Sequence, residues 1–129
     1  MSSILGGVNG LQQALDYHLE RHNVLTTNLT QLETPGYKSK DLVRKSGNFA
    51  SVLDVELGAT ERGHFGTVRG PRPWQVERDV FAPEGSNGNS VSLDRETVKI
   101  ASNNLRYDAI TTMVKEAIEN LNWASRDGK

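Results

Sequence analysis

Apolar positions spaced alternately by four and three residues run through the first part of the chain: Ile4, Val8, Leu11, Leu15, His18, His22, Leu25, Leu29 and Leu32. All but the two histidines are aliphatic. This is a heptad seam, the pattern by which one helix lies along another. Asn9, Gln12, Gln13, Asp16, Glu20, Arg21 and Asn23 fall off the seam and suit a solvated face. Pro35 drives Thr34 out of the α region and Gly36 permits a turn, which ends the helix. Gly6, Gly7 and Gly10 weaken its first turns. The spacing therefore predicts a helix over residues 10–33, about 36 Å long, with residues 1–9 unwound.

The other end carries a second helical pattern. Either Ser92 or Asp94 can cap it, and from there to about Trp123 the chain has neither glycine nor proline. Val98, Ala101, Leu105, Ala109, Met113 and Ala117 share one broad face, joined by Ile100, Ile110, Val114, Ile118 and Leu121. The stripe drifts around the helix, as expected of a surface that meets more than one neighbour.

All four prolines, Pro35, Pro71, Pro73 and Pro83, lie between these ends, so the centre is not one long helix. Phe49–Leu53 suits a short helix, whereas Leu53–Leu57 alternates like a strand. Trp74–Val80 alternates too and is the better strand candidate. Residues 84–89 are rich in Gly, Ser and Asn, which predicts a loop.

The fold expected is mainly α. Long N- and C-terminal helices pack as an antiparallel, coiled-coil-like hairpin, around an irregular centre with short strands. The divisions fall at residues 1–37, 38–91 and 92–129. Two helices cover only one side of each other, so part of the second helix's apolar face is left over. Such exposed stripes mark partner surfaces.

Composition narrows the chemistry. The chain has 129 residues, no cysteine and a formal net charge of −1. That excludes thiol catalysis, disulfides and an overall basic field for nucleic acid. Residues 38–78 hold Lys38, Lys40, Arg44, Lys45, Arg62, Arg69, Arg72 and Arg78, but interleaved acids make this a solvated or protein-facing surface rather than a nucleic-acid site. No apolar run approaches the ~20 residues that span a bilayer. Nor is there a basic, apolar leader of the cleavable kind.

His18 and His22 share the i,i+4 spacing of helix-borne metal ligands, but no glutamate follows His18 directly. Both lie on the seam, where a polar residue fixes register, and that is the role expected. The sequon Asn28-Leu29-Thr30 falls inside the first helix and is discounted as a glycosylation site. Asp94 and Glu96 suit a helix N-terminus better than paired acid–base work. No phosphate loop or nucleophile elbow occurs. Neither an enzyme activity nor a cofactor is expected.

Two stretches carry a resemblance. Thr27–Lys38, with Asn28, Thr34, Pro35, Gly36 and Tyr37, is similar to the N-terminal signature of flagellar rod and hook axial proteins. Thr27, Thr30 and Gln31 stand where that signature has Ala, Ala and Asn. Gly88–Glu96, with Asn89 and Asp94, and then Asn103–Tyr107, with Asn104 and Tyr107, resemble a proximal-rod member of the same family. The mid-chain Thr60 and His64 are similar to it as well.

The resemblance implies a structural rod subunit, exported by the flagellar apparatus without a cleaved signal and assembled in the periplasmic space. Its implied neighbours are other rod subunits, the rod-to-ring adaptor FliE and the export apparatus. Subunit packing would then fall to Leu11, Leu15, His18, His22, Leu25, Leu29 and Leu32, and to Val98, Leu105, Met113, Ile118 and Leu121. The residues also fit a soluble helical-hairpin adaptor or export chaperone.

Overall fold

The computed structural model describes residues 2–45 and 73–127. Four elements follow in order: helix α1 (Ser2–Thr30), strand β1 (Lys40–Arg44), strand β2 (Trp74–Arg78) and helix α2 (Leu93–Asp127). The two helices form the hairpin expected. His18 meets Asn103 and Asn28 meets Glu96 across it, so they run antiparallel. The expected helix at Phe49–Leu53 and strand at Leu53–Leu57 lie outside the described residues.

Helix α1 departs from expectation at both ends. It starts at Ser2 rather than near residue 10. A glycine costs about 1 kcal/mol in a helix interior. Extending a formed helix gains one hydrogen bond per residue, so the early glycines do not unwind it. The α-helix ends at Thr30, and the next residues tighten into i→i+3 bonds: Gln31 N–H to Asn28 O at 3.0 Å and Thr34 N–H to Gln31 O at 3.1 Å. Gly36 then takes φ 73°, the left-handed conformation that suits glycine.

β1 and β2 form a two-stranded antiparallel ribbon, with Leu42 opposite Val76 and Arg44 opposite Trp74. β2 occupies the first part of the expected Trp74–Val80 strand. It stops before Asp79, whose carboxylate accepts from the Phe81 N–H and makes a turn.

The interior is unusual in kind. Among the described residues only Leu25 and Leu42 are buried hydrophobics. His18, Asn28, Ser39, Asn89, Ser90, Glu96 and Asn103 are buried polar groups. Specific hydrogen bonds therefore carry a large share of what fixes this chain's geometry, because each buried polar group left unpaired costs about 1–3 kcal/mol.

Candidate functional site

At the closed end of the hairpin the polar interior forms a clasp. Asn28 is its hub. Its side-chain amide donates to the Lys40 carbonyl at 2.7 Å and to Glu96 Oε2 at 2.9 Å. Its carbonyl oxygen accepts from the Lys40 N–H at 3.0 Å and from the Tyr37 hydroxyl at 3.3 Å. One side chain thus satisfies both backbone groups of Lys40, as a neighbouring strand would, and ties α1 to β1 and α2. Full burial in a helix also removes Asn28 as a glycan acceptor.

Asn89 performs a second closure. Its amide nitrogen lies 2.9 Å from the Gln31 and Leu32 carbonyls and 2.8 Å from that of Thr34. These carbonyls lie just past the end of α1; those of Gln31 and Thr34 also accept from the Thr34 and Tyr37 N–H groups, while the Asn89 amide supplies the partner of the Leu32 carbonyl. The Asn89 side-chain oxygen accepts from the Val91 N–H, which aims the chain into α2. Helix α2 follows Ser92, whose carbonyl accepts from the Glu96 N–H. Asp94 lies exposed in the first turn, while Glu96 is 1% exposed and turned inward. On the turns around this closure, Gly36 and Gly88 both have positive φ, and a Cβ on Gly88 would come 3.5 Å from the Gly36 Cα.

Charge completes the clasp. Arg21 grips Asp41 with two nitrogens, at 2.8 and 2.9 Å. Lys99 reaches Asp79 at 2.6 Å and sits 3.6 Å from Asp41 and Glu96, while Arg95 reaches Asp79 at 3.2 Å. Burial pushes the Asp41 carboxyl up, but Arg21 outweighs it and holds the group below its ordinary 3.8. Asp79 follows the same pattern, with Lys99 as the chief opposing partner. The Arg21 guanidinium is raised in turn by Asp41.

Both carboxylates therefore bind protons more weakly in the folded chain than in the unfolded one. Their stabilisation is fully present above about pH 4 and is lost as pH falls through their depressed folded values. Urea unfolding should show a plateau above that pH and a decline below it. Asp41→Asn should lower the plateau and flatten the decline. An unchanged acid limb in that variant would count against the assignment.

Midway along the hairpin His18 and Asn103 lock together. Asn103 donates its amide to the His18 carbonyl at 2.8 Å, which fixes its oxygen toward His18 Nδ1, also at 2.8 Å. An oxygen can only accept, so Nδ1 carries the proton. His18 is thus bonded across the hairpin, and its Nδ1 is engaged. Among the described residues no group of three side chains could hold a metal ion. Also among them, no helix is long and apolar enough to cross a membrane.

The predicted assembly residues divide by position. On α1, His18 and Leu25 are buried, and Leu11, Leu15, His22, Leu29 and Leu32 are half-buried. On α2 the inward seam follows Glu96, Ile100, Asn103, Tyr107, Ile110, Val114, Ala117 and Leu121, none of them fully exposed. Val98, Leu105 and Trp123 lie on the opposite face, 68%, 72% and 69% exposed, and Met113, three residues from Ile110 and four from Ala117, is 54% exposed on the flank between that face and the seam. Ile118 flanks the inner seam and is half exposed. α2 is thus apolar on two sides, and one is uncovered.

No family model matches this chain. Curated relatives do. It is 32% identical over 122 residues to the flagellar basal body rod protein FlgB of Aquifex aeolicus, covering 93% of this chain and 90% of that one. The FlgB protein of Cereibacter sphaeroides is 34% identical over 117 residues, or 84% and 85% of the two chains. The chain belongs to the FlgB family of flagellar basal body rod proteins. The FlgB protein of Bacillus subtilis aligns along the whole of both chains at 25% identity.

Within this FlgB-family chain the motif residues have distinct placements. Asn28 and Asn89 are the hubs of the clasp. Thr34, Pro35 and Gly36 form the exposed turn. Tyr37 is half-buried and bonded to Asn28; burial and the nearby Glu96 raise its hydroxyl. Tyr107 lies on the inner seam, whereas Asn104 and Asp94 are exposed. Asn103, Glu96, Asp41 and Arg21 were not singled out as site residues. Glu96 and Asn103 had a local signal, as members of the second motif; Asp41 and Arg21 had none.

Proposed function

We propose that the chain is a structural subunit of the proximal rod that self-assembles through its terminal helices. The observation that carries the reading is the second apolar face of α2. Val98, Leu105 and Trp123 are exposed on the side away from α1, with Met113 exposed on its flank, and burying such side chains contributes roughly 1.5–3 kcal/mol each. A structural unit of a larger assembly needs this surplus; a chain complete by itself does not. The same surface supports rod subunits and FliE as neighbours. Export without a cleaved signal and a periplasmic location follow from the rod reading rather than from the geometry.

Leu105→Asp tests it. The side chain is exposed, so folding of the isolated chain should change by no more than about 0.5 kcal/mol. Incorporation into basal bodies, followed by immunoblot of purified particles, and swimming should both be lost. Normal incorporation would defeat the reading. A soluble adaptor or chaperone would instead be absent from wild-type basal bodies.

A further inference from the structure

The ridge on α2 needs a counterpart, and a cleft between α1 and the ribbon of the same molecule offers one. Helix α1 and the ribbon enclose a cleft of about 220 Å³. Its floor is Gly10 and Ala14, its walls are Tyr17 and Trp74, and Arg44 and Lys45 stand at its edge. The walls are fixed in place. Tyr17 donates to the Leu42 carbonyl at 2.8 Å, Trp74 Nε1 donates to Glu20 at 2.8 Å, and the two rings meet edge-on at 5.6 Å. Arg44 lies 4.6 Å over the Tyr17 ring.

Two observations say what belongs there. A Cβ added to Gly10 would meet nothing within 4 Å. Inside this chain a glycine at that position only weakens the helix, by about 1 kcal/mol relative to alanine; its value lies in letting another backbone come close. The second observation is charge. The cleft's charged edge is basic, while Asp94 and Glu116 lie exposed in line with the ridge, and Glu119 lies beside it, 3.9 Å from Lys115. Apolar and aromatic groups therefore face apolar groups, and cations face anions.

We infer that the α2 ridge of one copy seats in the Gly10–Tyr17–Trp74 cleft of the next, with Glu116 and Glu119 against Arg44 and Lys45. This rests on the rod reading and gives it a specific contact. Ridge and cleft are different surfaces, so the contact is head-to-tail. Repetition of such a contact yields a ring or an open helix rather than a closed two-fold dimer.

The test uses full-length chains with sedimentation equilibrium. Arg44→Glu/Lys45→Glu and Glu116→Lys/Glu119→Lys should each weaken self-association at least tenfold. An equimolar mixture of the two should associate to within threefold of wild type, because the reversed cleft now matches the reversed ridge. If wild type associates and the mixture does not, the cleft assignment falls while the rod reading stands. If wild type fails to associate at any concentration, both fall. Should a reversed variant not fold, cross-linking decides, since the chain has no cysteine of its own. Mixed Lys45→Cys and Glu116→Cys chains should give the mixed disulfide in excess of either symmetric one; symmetric products alone would overturn the contact.

Discussion

Replacing Leu25 by aspartate is expected to unfold the hairpin and abolish motility. Leu25 is 0% exposed and is one of two buried hydrophobics among the described residues. Removing its side chain from a packed site costs about 2–5 kcal/mol. A carboxylate in its place adds a desolvation penalty with no cation assigned to meet it. Against a total stability of roughly 5–15 kcal/mol for a small domain, little would remain. Far-UV circular dichroism and urea unfolding should show the loss directly. Leu19→Asp, on the same helix but 52% exposed, should leave the fold intact. Equal damage from the two changes would mean that Leu25 is not a core position.

The second large effect is expected at Asn28. Asn28→Asp removes both donors of the side chain and places a carboxylate against Glu96, where the amide nitrogen now sits 2.9 Å from Oε2. Two lost bonds and a like-charge contact in a buried site should lower stability by about 3 kcal/mol or more. Glu96→Gln in the same chain restores a donor facing the new carboxylate and should recover a substantial part of that loss. The unfolding free energies of the four chains form a double-mutant cycle that isolates the pair. A strictly additive result would show that Asn28 and Glu96 do not act together.

The hairpin was legible because its signals are local and periodic. The heptad positions of α1 from Leu11 to Leu32 and the proline-free run after Ser92 state two helices, and a two-helix arrangement leaves apolar surface over. The clasp was not legible. Asn28 bonds across 68 residues to Glu96, and His18 across 85 to Asn103. Polar side chains carry no period that announces such partners. Two sites gave partial warning: the family motif includes Asn28 and Asn89, and the seam puts His18 on the packed side of α1, where it bonds Asn103.

β1 went unseen because Lys-Asp-Leu-Val-Arg has only two apolar residues. Its pairing depends on Trp74–Arg78 and on the amide of Asn28, both distant in the chain. The two faces of α2 were read as one drifting stripe. Only its packing on α1 separates the inward Tyr107–Leu121 seam from the outward Val98–Trp123 ridge.

The cap that Asn89 places on α1 has a consequence in time. The carbonyls of Gln31, Leu32 and Thr34 converge on the Asn89 amide, 55–58 residues further along the chain. A chain threaded through a narrow passage one end first, whichever end leads, cannot close this joint until both segments have emerged. Helical turns form within microseconds once their residues are free, but the bonds that Asn89 adds at the end of α1 wait for the later segment. The joint thus depends on completion of the chain: a chain cut before Asn89 can form the turns of α1 but not this closure at its end.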